Sequence, residues 1–180
     1  MNRCQSLSFF VSVSAFALAD CSSSTGSNVS AASGSGNSDE GTQTPPTSSE
    51  TEIDAWLGKG YYKTWHCEMT STAGSGISPY GAHRICSNDA LSGFSGTGEY
   101  PVGSANVKEL FDSVGGSVTG YAIELHQAAG TNGRDWFWYE KMGGSAVANA
   151  AGASLCVGCH MAAGSDAMHP GHDFVFSQVK

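Results

Sequence analysis

Positive charge is scarce in this chain. Its 180 residues hold 8 Lys and Arg against 16 Asp and Glu, for a formal charge of −8, and only 13% are charged. No basic footprint for nucleic acid is present, and no Lys/Arg cluster suits an anionic membrane surface. The acidity gives no electrostatic preference for an anionic substrate. Long apolar runs are also lacking. The longest, "LSFFVSVSAFALA" (Leu7 to Ala19), is too short to span a bilayer and suits the core of a signal peptide. Arg3 supplies its positive flank and Ala17-Leu18-Ala19 an A-x-A cleavage site, so residues 1–19 read as an export signal. Large apolar residues are nearly absent from Ser22 to Glu50, which excludes a buried core there, and residues 20–50 read as a flexible Ser/Gly/Thr-rich tether.

Six cysteines are present. Cys4 leaves with the signal, and an exported chain meets oxidising conditions in which Cys67 and Cys86 can pair. Cys21, in "LADC", is left over. Its setting resembles a bacterial lipobox, with Asp20 where a small residue is expected. Two localisations follow: a membrane-anchored lipoprotein held through Cys21, and a soluble periplasmic protein.

The folded part is expected over 51–180. "TEIDAWL" (Thr51 to Leu57) predicts a short helix with an acidic first turn. Residues 82–88, 104–112, 120–127 and 135–142 are short, rich in β-branched and aromatic residues, and bounded by Gly, Asn or Ser, so they predict strands. Alternation in "VKELF" puts Val107, Glu109 and Phe111 on one face and Lys108 and Leu110 on the other; "YAIELH" alternates likewise, with Tyr121, Ile123 and Leu125 opposed to Ala122, Glu124 and His126. No helix-length spacer separates the last two strands, which points to antiparallel pairing. Alanine dominates Ser145 to Ala163, which predicts a helix, and "DFVFSQV" (173–179) predicts a closing strand. The expected class is α+β: a mainly antiparallel sheet with a few helices, the C-terminal one bearing the motif described next.

That motif is "CVGCH", Cys156 to His160. C-x-x-C-H offers two thiols for thioether bonds to haem vinyl groups and one imidazole for the iron, all within five residues. Cys156 and Cys159 are the candidate attachment points for haem c, and His160 the candidate metal ligand. Three other readings stand beside it. Cys156, Cys159, His169 and His172 form C-x2-C-x9-H-x2-H, a zinc-like set with shorter spacings than usual. A thioredoxin-like dithiol requires a βαβ setting that this pattern lacks. A plain disulfide leaves His160 without a role. Met161, Met168, His169 and His172 are further candidates for an opposite ligand by chemistry alone, and Trp136 to Tyr139 are expected in the core and at a dimer surface.

Taken in order, "YPVGSANVKELF" (100–111), "GYAIELHQ", "DWFWYEK", an Ala-rich stretch and "CVGCH" followed by "DFVFS" resemble the cytochrome P-460 family, which includes the β-sheet cytochromes c′-beta. The resemblance covers about Tyr61 to Ser177, and "SPYGAHRICSN" (78–88) adds to it. It implies a mainly antiparallel sheet, usually in a homodimer, with covalent haem and an open or water-bound site on the iron. It implies that Lys108 matches a lysine that cross-links to the porphyrin, that Arg84 matches a distal arginine, and that Glu124 matches a distal acidic residue. It implies two activities between which the fold does not choose. One is an oxidoreductase that oxidises hydroxylamine and passes electrons to a soluble cytochrome. The other is a non-catalytic binder of nitric oxide. A zinc-stabilised structural module is the alternative outside the resemblance.

Overall fold

The computed structural model describes residues 44–74 and 78–180. The expected export signal, Cys21 and most of the expected tether therefore lie outside the described residues. Among those described, no helix is long and apolar enough to cross a membrane.

Six antiparallel strands form one sheet in simple chain order: β1 (His66–Cys67), β2 (Ala82–Ser87), β3 (Ala105–Phe111), β4 (Val118–His126), β5 (Trp136–Met142) and β6 (Ala146–Ala151). Helix α1 (Glu50–Lys59) precedes them, α2 (Asp89–Ser92) follows β2, and α3 (Ser154–His160) follows β6. The expected class, α+β with a mainly antiparallel sheet, is the class observed.

Helix α1 starts one residue before the expected boundary. Ser49 caps it, its hydroxyl accepting from the Glu52 amide at 3.3 Å, and Pro45 upstream is already buried. Ile53, Trp56 and Leu57 share one face of the helix, at i, i+3 and i+4. They pack on one side of the sheet against Cys86, Val107, Ile123, Leu125, Phe137 and Tyr139. The Tyr139 hydroxyl donates to Asp54 at 2.7 Å, and Lys141 pairs with Asp54 and Glu50 at 2.6 and 2.8 Å, which pins α1 to β5.

The other side of the sheet is covered by the C-terminal part of the chain. Trp136, Trp138 and Ala148 pack there with Leu91, Tyr100, Cys156 and Val175. Trp136, Phe137, Trp138 and Tyr139 are thus all buried within one chain, two on each side. They are core, and the expectation of a dimer surface at these residues is corrected, because both faces of β5 are already covered.

Two further expectations are corrected. The Ala-rich segment from Ser145 is not one helix. Residues 146–151 form β6, paired with β5 in the register Phe137↔Ala151 to Lys141↔Ala146. Helix propensity is a weak local bias, and here the outer backbone groups of the buried β5 require a partner. Gly152, at φ 62°, turns the chain out of β6, and only after it does α3 begin. Residues 173–179 are not a strand either. Asp173 and Phe174 adopt left-handed conformations, at φ 44° and 67°, which break an extended run. The tail is tied down by side chains instead. Asn106 donates to the Ser177 carbonyl at 2.8 Å, the Val179 amide to the Ser87 hydroxyl at 2.9 Å, and Gln178 to the carbonyls of Leu91 and Phe94.

Cys67 and Cys86 are directly opposite one another in β1 and β2 and form a disulfide. It closes a loop with a sequence separation of 19 and holds the two-residue strand β1 to the sheet. Replacing both cysteines with serine is expected to cost about 3 kcal/mol, by releasing loop-closure entropy in the unfolded chain. Denaturant titrations of the variant and the parent, each with and without reductant, check this. Reductant should shift only the parent's midpoint.

Candidate functional site

The sheet register decides which candidate residues share a face. Lys108 lies opposite Ile85 and Ala122, and Ala122 lies opposite Glu140. One row along, Ser87, Asn106, Glu124 and Trp138 are aligned in the same way. Lys108, Glu124 and Glu140 therefore share the side that Trp138 and the C-terminal segment occupy. Arg84 is on the other side, opposite Glu109.

Helix α3 is held over the first side by close contact. Its Val157 approaches Gly133 so nearly that a Cβ there would fall 2.5 Å from the valine side chain. The Gly133 carbonyl in turn accepts from the Trp138 indole at 3.2 Å. Cys156, Cys159 and His160 stand at i, i+3 and i+4, which places the two thiols and the imidazole on one helix face. Cys156 is buried and Cys159 exposed, and both are free thiols, whereas Cys67 and Cys86 are joined.

The His160 ring packs edge-on against Trp138, with centroids 4.6 Å apart, and against Phe176 at 5.0 Å. Its Nδ1 meets two acceptors, the Phe174 carbonyl at 2.7 Å and Glu124 Oε2 at 3.2 Å. Burial opposes a charge on this ring, but the hydrogen bond and charge of Glu124 together with the Phe174 carbonyl outweigh it, so the His160 pKa is raised. Glu124 is itself buried, and its Oε1 accepts from the Asn106 amide at 2.6 Å.

Lys108 is partly buried, with Nζ 5.1 Å from the centroid of the Tyr80 ring. Burial lowers its pKa from the ordinary 10.5, against the opposing charges of Glu124, Glu68, Cys159 and Glu140. The Tyr80 hydroxyl is raised by burial and by its hydrogen bond to Glu140. Burial, with the Glu140 and Glu124 charges added, pushes the Cys156 thiol up to about 12. Lys108, Tyr80, Glu140, Glu124, Cys156, Cys159 and His160 thus form one electrostatically linked group.

This donor set suits a haem c. Two unpaired thiols and one imidazole project from a single helix face, and the imidazole is engaged through Nδ1, which leaves Nε2 as the nitrogen that could ligate a metal. The zinc-like alternative is not assembled. Among the described residues, no three His, Cys, Asp or Glu side chains are gathered to hold a metal ion. His169 is paired with Asp166 at 2.8 Å, and His172 stacks on Tyr100 at 4.4 Å. Met161 and Met168 are exposed at the surface.

Arg84 has a different setting. Its Nε donates to Glu109 Oε2 at 2.7 Å, and the Tyr62 hydroxyl donates to Glu109 Oε1 at 2.6 Å. The Glu109 side chain is only 2% exposed and that of Arg84 26%. The structure therefore brings Lys108 and Glu124 to the C-x-x-C-H helix and leaves Arg84 across the sheet. Removing one partner of a buried ion pair strands the other charge. Arg84→Ala is expected to lower stability by about 2–4 kcal/mol, somewhat under the full buried-pair figure because the guanidinium keeps some solvent contact. Chemical denaturation measures this.

Tyr80, Asn106 and Glu140 join the site without having been singled out in the sequence. For Glu140 a signal existed: in "WFWYEK" it alternates with Trp138 and Trp136, a lone charge on an otherwise aromatic strand face. Tyr80 and Asn106 carry no such mark.

Comparison with known proteins returned no matching family model. No curated protein sequence matches either.

Proposed function

We propose that this chain is an exported c-type cytochrome of the P-460 type, which binds haem covalently and acts on small nitrogen oxides. The observation that carries the reading is the placement of Cys156, Cys159 and His160 on one helix face above a sheet face bearing Lys108 and Glu124. Cys156 and Cys159 would hold the haem through thioethers, and His160 would ligate its iron through Nε2. When bound, haem c supplies an iron that takes a nitrogen-oxide ligand and exchanges single electrons.

The chain's own side chains handle position and protons. Glu124 and the Phe174 carbonyl orient His160. Burial lowers the Lys108 pKa, so its Nζ is shifted toward the neutral form that has a lone pair able to take a proton. Oxidation of hydroxylamine sheds protons as well as electrons, and Glu140 with Tyr80 lies close enough to Lys108 to influence where they go. The electrons require an acceptor, for which a soluble cytochrome is the proposal. The export signal, Cys21 and tether support a periplasmic or membrane-anchored location. The uncharged outer strand β6, "AVANAA", supports a homodimer, since an unprotected sheet edge invites pairing with a second copy.

A second reading, a non-catalytic nitric oxide binder, is favoured by the position of Arg84 across the sheet and by the engagement of Glu124 with His160. Steady-state assays with hydroxylamine and an artificial electron acceptor, run on haem-loaded protein, separate the two. Turnover supports the enzyme. Nitric oxide uptake with hydroxylamine untouched supports the binder.

A further inference from the structure

His160 offers a single proton on Nδ1, yet two acceptors converge on it. One is a backbone carbonyl, which can only accept, so Nδ1 must carry the proton and, in the neutral ring, Nε2 the lone pair. The other is the carboxylate of Glu124, at 3.2 Å. Neither acceptor is there by chance of local sequence. The Phe174 carbonyl is aimed by the turn in which Asp173 and Phe174, neither of them glycine, take positive φ. That turn is secured by the Tyr100 amide donating to Asp173 Oδ2 at 2.9 Å, and by reciprocal bonds between the backbones of His172 and Val175 at 3.1 and 2.8 Å. Glu124 is fixed by Asn106, whose amide donates to Oε1, and Asn106 in turn is fixed by the Ser87 hydroxyl at 2.5 Å. A buried carboxylate with one oxygen anchored by an amide has its second oxygen directed at the imidazole.

From this arrangement we infer that Glu124 is a positioning residue on the His160 side of the site, an anionic acceptor that works with the Phe174 carbonyl to orient the imidazole and make Nε2 a stronger ligand. This rests on the reading of His160 as the iron ligand, and it differs from the distal role that resemblance implies for Glu124. The two acceptors differ in strength. A carbonyl bond leaves the ring an ordinary imidazole, whereas a bond to a carboxylate draws the proton outward and increases electron density at Nε2. A stronger ligand stabilises the more oxidised iron and resists displacement when nitric oxide binds on the opposite side.

The test compares the parent chain with Glu124→Gln, which keeps the shape and an acceptor oxygen but loses the charge, and with Asn106→Ala, which keeps the charge but frees the carboxylate. Loss of a hydrogen-bond partner of a metal-ligating histidine typically costs about 10–100-fold in metal affinity or activity. In the haem-loaded protein, Glu124→Gln should raise the reduction potential. It should also increase, about tenfold, the ratio of five- to six-coordinate ferrous nitric oxide adduct, read from its optical and electron paramagnetic resonance spectra. Asn106→Ala should move both in the same direction by less. Unchanged potential and coordination in a folded, haem-loaded Glu124→Gln protein overturn the inference. A separate measurement needs no haem: NMR of the full chain reports the His160 tautomer and the Nδ1 proton shift, and the shift should move upfield in Glu124→Gln if the carboxylate shares that proton, and stay unchanged if it does not. Protonation at Nδ1 supports the hydrogen bonds described, and protonation at Nε2 alone overturns them. If the chain takes up no haem at all, the parent reading fails by itself, and the change in the Nδ1 proton shift in Glu124→Gln still decides the Glu124 contact.

Discussion

A chain in which Cys156 and Cys159 are both alanine is expected to retain no haem after acid denaturation. In the parent, the two proposed thioethers should survive loss of the fold, because they would be covalent whereas an iron–histidine bond is labile in acid. Each single variant keeps one thioether and should hold haem incompletely. His160→Ala should keep both thioethers and lose the ligand, giving attached haem with an altered spectrum. The double variant should remain folded. Cys156 packs beside Leu91, Trp136 and Trp138, and its truncation removes one sulfur-sized group, on the order of 1 kcal/mol, while Cys159 is exposed. Loss of haem in the double variant would then report missing attachment chemistry and not collapse of the sheet. Circular dichroism on the same samples checks that point, and a pyridine haemochrome assay after acid extraction measures the haem.

Lys108→Ala is the second large effect. Lys108 has been taken partly out of water without a salt bridge at hydrogen-bond distance among its described contacts; a ring face at 5.1 Å and more distant carboxylates offset that cost. Its removal should leave stability nearly unchanged or slightly raised, which separates it from Arg84→Ala. Hydroxylamine oxidation should fall by about 10²-fold or more, the scale of a lost general acid–base group. The spectrum adds an independent readout. Where the lysine is bonded to the porphyrin edge, the reduced parent has a broad, red-shifted Soret band, and Lys108→Ala restores an ordinary haem c band. Where the parent already has an ordinary band and does not oxidise hydroxylamine, the nitric oxide binder replaces the enzyme.

Much of this arrangement was legible before any coordinates. Period-two alternation in "VKELF" and "YAIELH" separates Lys108 from Glu109 and Glu124 from Ile123, and the structure keeps those faces. Alternation says nothing, however, about which face of one strand meets which face of the next. Arg84 could not be compared with Lys108 until register placed Arg84 against Glu109 and Ile85 against Lys108. The C-x-x-C-H spacing was sufficient to put its three groups on one helix face. Strand β6 was hidden because alanine favours a helix locally, and only the need of β5 for an outer partner makes the segment extended. The tail was hidden for the opposite reason. "DFVF" has a strand-like composition, and the left-handed turn at Asp173 and Phe174 depends on Tyr100, which is distant in sequence.

The central claim is that α3 is a haem-attachment helix. Its most direct test is the intact mass, under denaturing acid conditions, of the full chain produced with a cytochrome c assembly system, recorded beside its metal content and visible spectrum. The account predicts one haem covalently bound per chain, with one iron and a Soret band. A chain that carries stoichiometric zinc and no Soret band, or whose mass is that of the polypeptide alone, would contradict it.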